Sequence, residues 1–268
     1  MHVDRYTPDD RSDRPALGAI RGARGTLVVE GGASVAHLGA FAAELAARGR
    51  PPVVGIALTH WHWDHSFGSA AIDAPVIAHA DTAAELAVQA AYDWSDEALD
   101  QRVRDGREIA FCAEFLRVEL PDRSDLEIVL PSETFTRRHT VDLGGVRADI
   151  VHVGGDHAAD SCVVHVPGDD VLFLGDCLYQ RLYAPEPMLT VAGVRSSTGS
   201  RRSRSPSPWR ATTTTSPTPP ASPPGWPGCA ARPTSSTPRG PGRPPWSPTT
   251  RTWPSWSASC SSARPVNA

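Results

Sequence analysis

The chain has 268 residues, which is enough for one large domain or two small ones, and its formal net charge is −4. That charge is an average of two unlike segments, because all 30 acidic residues precede Ser196 while residues 196–268 carry nine arginines and no acid. The average therefore indicates no charged partner, and we expect neither nucleic acid nor a membrane to bind the chain.

The remaining composition favours a soluble cytoplasmic protein. The N-terminal stretch "MHVDRYTPDDRSDRP" is polar and lacks the apolar core of a secretion signal. No apolar run approaches the roughly 20 residues that a membrane helix needs. The five cysteines show no CxxC motif and no paired spacing, so we expect reduced thiols at Cys112, Cys162, Cys177, Cys229 and Cys260.

The first predicted elements lead up to a buried strand. Residues 1–25 indicate an irregular entry segment, and "TLVVE" (26–30) is a short strand that two glycines turn. Apolar residues at helical spacing predict a helix over 33–49, ended by Gly49. The apolar run "VVGIALTH" (53–60) predicts a buried strand.

The predicted elements continue as alternating strands and helices. A strand over 74–81 precedes a helix over 82–94, capped by Asp81 or Thr82, and residues 95–117 are helical. Strands follow over 126–135 and 140–155, the second with a Gly-Gly turn, and 160–179 has the pattern of a hairpin. Strands interleaved with helices predict a layered α/β fold.

The composition changes at Ser196. Residues 196–268 hold sixteen of the 26 prolines and five of the eight tryptophans, and they lack Leu, Ile, Phe, Asp and Glu. Such a segment cannot bury a core that offsets the loss of chain entropy, so we expect a disordered tail. It is a genuine Pro/Ser/Thr linker, an Arg-rich tail that stacks on nucleic acid, or the product of a shifted reading frame.

The composition favours the shifted frame. The chain contains no lysine and 26 arginines, which indicates a GC-rich gene, and such a gene read out of frame yields mostly Arg, Pro, Ser, Thr, Gly, Ala and Trp. With G or C in third codon positions, "RATTTT" (210–215) can encode Gly-His-Asp-Asp-Asp in the shifted frame. We therefore predict a domain over 1–195, truncated at its C-terminal end, and an out-of-frame tail over 196–268.

The chemistry concentrates in "THWHWDHSFG" (59–68), where three histidines and an aspartate fall within six positions. In an extended segment His60 and His62 point the same way, so that one metal ion can take both imidazoles. Asp64 and His65 follow as the chain turns and can face a second position. Imidazole and carboxylate donors without cysteine suit Zn²⁺ or another borderline divalent ion.

This motif resembles the metal-binding signature of the metallo-β-lactamase-fold hydrolases, including their glyoxalase II-like branch. "HVGGDHAADS" (152–161) is similar to the family's loop that supplies a further histidine, here His157. "VLFLGDCLY" (171–179) is similar to the strand that ends in a bridging aspartate, here Asp176. "GTLVVEGG" matches an early strand and turn, with Glu30 where the family commonly has Asp.

The resemblance implies an αββα four-layer sandwich whose C-terminal repeat is incomplete. It implies one metal ion held by His60, His62 and His157, and a second held by Asp64 and His65 with Asp176 bridging. Two zinc ions, with iron or manganese as alternatives, would hold a hydroxide that attacks a small-molecule ester, thioester, lactam or phosphoester. Asp64 would be the catalytic residue that orients this nucleophile, and no oligomeric state is implied.

One family motif is missing. The family's second metal site ends with a histidine on a late strand, usually after glycine, but no histidine follows His165 in this chain. The shifted frame of "RATTTT" restores a Gly-His pair. Two alternatives to the hydrolase therefore stay open: a catalytically defective metal-binding remnant, and an iron-dependent enzyme of the same fold acting on sulfur or oxygen substrates.

Overall fold

The computed structural model describes residues 1–182 and 210–212, which form two β-sheets with helices on one side. The first sheet has six strands in chain order. Strands β1 to β3 are antiparallel, and β3 to β6 run parallel to one another. These strands are β1 (Val3–Tyr6), β2 (Leu17–Gly22), β3 (Gly25–Val29), β4 (Val53–Ala57), β5 (Val76–His79) and β6 (Glu133–Phe135).

The second sheet has five strands in the order β11-β10-β9-β8-β7. The pairs from β7 to β10 are antiparallel, whereas β11 pairs with β10 in parallel. The strands are β7 (Arg138–Asp142), β8 (Arg147–His152), β9 (Cys162–Val166), β10 (Val171–Phe173) and β11 (Arg210–Thr212).

Five α-helices and one turn of 3₁₀-helix complete the described part. They are α1 (Val35–Ala47), α2 (Trp63–Ser66), the 3₁₀ turn (Ser69–Ala71), α3 (Ala80–Ala90), α4 (Asp96–Arg104) and α5 (Ala110–Glu119). Among residues 1–182 and 210–212, no helix has the length and apolarity that crossing a bilayer requires.

The apolar side chains form two main layers, one on each face of the first sheet. One layer lies between the sheets, where Leu27 and Val29 of β3 belong to the same cluster as Val164 and Phe173 of the second sheet. The other layer packs the opposite face of the first sheet against the helices, through residues such as Phe41. The order helix, sheet, sheet matches three layers of the predicted sandwich. The helix layer expected on the far side of the second sheet falls on residues outside the described ranges, as does the domain boundary at 195/196.

The N-terminal segment differs from its prediction. Residues 1–25 form two paired strands and not an irregular entry segment. Strand β2 was not predicted, because it contains Gly18 and Gly22 and glycine has low strand propensity. Gly18 is needed for close packing, since a Cβ there would lie 2.2 Å from Cε1 of Phe173 in the facing sheet.

Two smaller expectations are also wrong. Only 133–135 of the stretch 126–135 is strand, because the run before it joins the helix-side core instead. Helix α3 begins at Ala80, and its cap is His79, whose side chain accepts a hydrogen bond from Asp81 N. The imidazole Nδ1 takes the place of the predicted Asp or Thr oxygen.

Truncating Phe173 tests the packing between the sheets. Phe173 is fully buried in the inter-sheet layer, so Phe173→Ala should lower the free energy of unfolding by about 3–5 kcal/mol, measured by urea denaturation. Phe115→Ala is the control, because Phe115 is only partly buried at the edge of the helix-side core. Equal losses for the two variants would contradict this account of the core.

Candidate metal centre

The predicted ligands lie where strands of both sheets end. Strands β3 and β4 are parallel, so Glu30 and the motif that begins at Thr59 follow their carboxyl ends at one edge of the first sheet. Strands β8 and β10 both run antiparallel to β9, so His157 and Asp176 follow their carboxyl ends at one edge of the second. The backbone N–H of Cys162 donates to the Thr59 carbonyl at 2.7 Å, which joins the two edges.

The motif turns sharply as it leaves the sheet. His62 is extended, with φ −58° and ψ 147°, and occupies the N-cap position of the four-residue helix α2. Asp64 and His65 lie within this helix. The chain changes from strand to helix here, and the rings of His60 and His65 still lie close together, with centroids 4.3 Å apart.

Three histidines form the first compact group of donor atoms. One ring nitrogen from each of His60, His62 and His157 lies within 4.8 Å of the other two. The ring centroids are 4.6 Å apart for His60 and His62 and 4.5 Å apart for His62 and His157. All three side chains are buried.

A second group shares a member with the first. Donor atoms of His60, His65 and Asp176 also lie within 4.8 Å of one another. Asp176 Oδ2 is 3.5 Å from Nε2 of His65 and 3.5 Å from Nε2 of His157, so it stands between the two groups. Asp64 Oδ2 approaches His65 Nε2 from another side, at 3.1 Å.

These separations suit donors that share a cation. Two donor atoms about 2.0–2.2 Å from one tetrahedral ion lie roughly 3.3–3.6 Å apart. The 3.5 Å distances from Asp176 Oδ2 to the two histidines agree with that spacing. The donors also lack other partners, because His60 Nε2, His157 Nε2 and Asp176 Oδ1 are buried without a hydrogen bond. Buried polar atoms are normally satisfied, so these three fit a bound metal ion.

The outer nitrogen of each of three rings is held by the protein. His157 Nδ1 is 3.1 Å from the Gln180 carbonyl oxygen, which can only accept a hydrogen bond. His60 Nδ1 is 3.1 Å from Thr59 Oγ1, and His65 Nδ1 is 3.2 Å from Glu30 Oε1. The Nδ1 atoms of His60 and His157 therefore donate outward, whereas His65 Nδ1 faces the Glu30 carboxylate without a hydrogen bond, and each Nε2 faces the centre. This arrangement fixes the ring orientation that a metal ligand needs.

Glu30 connects the ends of two strands to this arrangement. Its side chain is fully buried and its backbone is left-handed, with φ 76°. Glu30 Oε1 accepts from Thr59 Oγ1 at 2.6 Å, and Oε2 accepts from Thr59 N at 3.2 Å. One carboxylate thus positions Thr59 directly, His65 through Nδ1, and His60 through the Thr59 hydroxyl.

The buried charges set the protonation of the centre. Burial, together with the positive charge of neighbouring histidines, holds the pKa of His60 well below its usual range, so this ring stays neutral and able to bind a metal. Burial also lowers the pKa of His65, but Asp64, Asp176 and Glu30 outweigh it and raise that pKa well above its usual range. The carboxylates around His65 therefore favour a positive charge at its position.

A match to a family model identifies the fold. Residues 18–228 match the model of the metallo-beta-lactamase superfamily, which is more than half of the chain. The chain belongs to the metallo-beta-lactamase superfamily. The glyoxalase II-like branch and the shifted frame stay predictions. No curated protein matches the chain.

Solved structures of this superfamily resemble the chain at low sequence identity. A double mutant of the sec-alkyl sulfatase PisA1 has a TM-score of 0.53 and 16% identity, over 75% of this chain and 35% of that chain. A metallo-beta-lactamase from Pontibacter korlensis has 19% identity and a TM-score of 0.49, over 69% of this chain and 74% of that chain. A metallo-beta-lactamase from Hirschia baltica has 16% identity and a TM-score of 0.46, over 69% and 73%.

In this superfamily member, the structure brings together all six predicted ligands: His60, His62, Asp64, His65, His157 and Asp176. Their role as ligands stays a prediction. Sequence reasoning gave no role to Glu30 or Thr59, although the polar Glu30 at the end of the buried run "TLVV" was a usable signal. His79 and His152 stack on each other, with ring centroids 4.0 Å apart. Cys177 is buried in a small apolar cluster.

Replacing Glu30 tests whether a carboxylate that contacts the predicted ligands supports metal binding. Glu30→Gln keeps the shape of the side chain but removes the charge that faces His65, so zinc affinity should fall by about 10–100-fold in competition with a chelator. Glu114→Gln is the matched control, because Glu114 is exposed on α5. Unchanged zinc affinity in Glu30→Gln would show that Glu30 does not support the centre.

Proposed function

We propose that the chain is a metal-dependent hydrolase of small-molecule esters, thioesters, lactams or phosphoesters. The observation that carries this proposal is the pair of donor groups that share His60 and have Asp176 between them. The superfamily match supports it, and the chain is similar in fold to a sec-alkyl sulfatase. We propose zinc as the metal, since the donors are imidazoles and carboxylates without sulfur.

The donors divide between two positions. His60, His62 and His157 would hold the first ion, and Asp64 with His65 would hold the second, with Asp176 between them. Divalent ions bound there would acidify coordinated water and polarise the oxygen of the bond to be cleaved. His65 is fully buried and Asp176 is nearly so. Both donors are therefore shielded from bulk solvent, which strengthens their electrostatic interactions.

Asp64 is the residue best placed to handle a proton. Burial alone would raise its pKa, but the charge and hydrogen bond of His65 lower it to about 2. Asp64 is therefore ionised at neutral pH, and we propose that its carboxylate orients the attacking water and relays its proton. Hydrolysis then adds water across the scissile bond, and the proton is delivered to the departing alcohol, thiol or amine.

The first test is metal removal from the full chain. Full-length protein loaded with Zn²⁺ should hydrolyse at least one of four probes: an aryl ester, an acyl thioester, a chromogenic β-lactam or an aryl phosphodiester. Removing the metal should abolish that activity and lower Tm, because filling the site at 100 times Kd stabilises a fold by about 2.7 kcal/mol. Chelator already saturated with Zn²⁺ is the control, and hydrolysis that survives metal removal would refute the proposal.

The second test replaces Asp64. Asp64→Asn should lower kcat by about 10²–10⁴-fold, because the amide cannot accept a proton, while circular dichroism shows a folded protein. Metal content is measured in parallel to separate proton transfer from ligand loss. Asp73→Asn is the control, since Asp73 is exposed shortly after the same motif. An Asp64→Asn variant with wild-type kcat would exclude this role.

A second candidate function rests on the missing histidine. No histidine follows His165, so the second donor group depends on His60, which the first group also uses. A chain that binds metal but hydrolyses none of the four probes would be the defective remnant. Identifying the metal that co-purifies with the chain would distinguish a zinc hydrolase from an iron-dependent enzyme.

A further inference from the structure

The loop between β8 and β9 carries His157, and it also carries a buried acid that the site described so far does not use. This acid is Asp160, which is 2% exposed and lies two residues before β9. The β8–β9 loop is closed by its own backbone, because the amides of Val153 and Gly154 both donate to the Ser161 carbonyl at 2.9 Å. Asp160 therefore stands at a fixed point, three residues after His157.

The carboxylate of Asp160 contacts two other parts of the chain. Its Oδ2 accepts a hydrogen bond at 2.6 Å from Oγ1 of Thr82, which is fully buried on α3. The carboxylate also accepts a hydrogen bond from the backbone N–H of Trp61. Trp61 stands between His60 and His62 in the motif. One carboxylate thus joins the β8–β9 loop, helix α3 and the peptide between two predicted ligands.

A backbone hydrogen bond runs between the same two stretches. The N–H of Cys162 donates to the Thr59 carbonyl at 2.7 Å. This bond and the carboxylate together fasten the start of β9 to the residues that follow β4. The ring of His157 thereby lies against both histidines of the motif, with its centroid 5.2 Å from that of His60 and 4.5 Å from that of His62.

Burial makes this acid dependent on its hydrogen bonds. Burying a carboxylate is costly unless it is hydrogen-bonded or paired with a cation. Burial raises the pKa of Asp160 to about 6, although hydrogen bonds from Thr82, from its own backbone and from the Trp61 N–H lower it. Thr82 and Trp61 belong to other elements of the fold, so they fix the direction in which the carboxylate leaves the loop.

We propose that Asp160 is a positioning residue for the first metal position. Its carboxylate holds the Trp61 peptide and the β8–β9 loop at the separation at which His60, His62 and His157 can bind one ion. Asp160 itself belongs to neither of the two donor groups found in the described residues, so it acts through the ligands and not as one. This inference rests on the proposed function, which assigns the three histidines to one ion.

The test is metal binding by the full-length chain after Asp160→Ala removes the carboxylate. Zinc affinity for the first equivalent is measured by competition with a chromophoric chelator, and the visible absorption spectrum of bound Co²⁺ reports the geometry of its ligands. Asp160→Ala should bind the first equivalent at least about 10-fold more weakly and change the Co²⁺ spectrum. A merely structural role would lower Tm and leave that spectrum as it is in the wild type.

The second sheet offers a matched control. Asp149 on β8 is also 2% exposed and accepts a hydrogen bond from Oγ1 of Thr140 at 2.8 Å, but its other partners are Arg138 and Arg147. Asp149→Ala therefore removes the same kind of buried contact without touching the motif. It should lower Tm but keep the wild-type zinc affinity and Co²⁺ spectrum.

A second variant covers the case in which Asp160→Ala does not fold. Thr82→Val then replaces it, because valine keeps the shape of threonine but lacks the hydroxyl that Asp160 accepts from. Thr82→Ser keeps that hydroxyl and should bind zinc as the wild type does.

The outcomes separate this inference from the proposed function. Wild-type affinity and an unchanged Co²⁺ spectrum in Asp160→Ala, or in Thr82→Val where that variant is used, overturn the role of Asp160, and so does an equal loss of affinity in Asp149→Ala. A wild-type chain that binds zinc but hydrolyses none of the four probes would refute the proposed function and leave the role of Asp160 intact. A wild-type chain that binds no zinc overturns both.

Discussion

The buried contact between Thr59 and Glu30 is the interaction on which the centre depends. Thr59 follows β4 and Glu30 follows β3, so the pair joins the ends of neighbouring parallel strands. The Thr59 carbonyl accepts from the first residue of β9, which brings the second sheet to the same point. Gly175 packs here with φ 51°, and a Cβ on it would lie 2.4 Å from Thr59 Oγ1. The aspartate that follows Gly175 is therefore positioned by a contact that only glycine allows.

A carboxylate as deeply buried as Glu30 would destabilise the fold without partners. It accepts hydrogen bonds from the Thr59 hydroxyl at 2.6 Å and the Thr59 amide at 3.2 Å, and it lies 3.2 Å from the His65 imidazole. Glu30 stands where the family commonly has the shorter Asp, and its backbone is left-handed, with φ 76°. The metal-facing nitrogens are thus oriented by the same contacts that hold the strand ends together.

The sequence was sufficient for the residues whose chemistry is concentrated locally. Three histidines and an aspartate at a predicted strand end placed His60, His62, Asp64 and His65 at one edge, and the structure agrees. Glu30 could not be assigned in this way, because its relation to the ligands arises from contacts with residues distant in sequence. Strand β2 was missed for a similar reason, since the glycine that lowers its local strand propensity is required by Phe173 in the other sheet.

Within the tail, the structure describes only Arg210–Thr212. That strand is parallel to β10, so its carboxyl end lies at the same edge as Asp176. The shifted frame of "RATTTT" would encode a histidine there, which agrees with the position of the missing family ligand. The shifted frame itself stays a prediction.

The sharing of His60 has a consequence for how the centre fills. Its Nε2 can bind one ion at a time, yet it lies within reach of both donor groups. Under the proposed function, an ion at the first position would use His60 and leave the second position without that imidazole, so the two positions would differ in affinity. Scarce metal would therefore give, under the same function, a singly loaded form before a doubly loaded one.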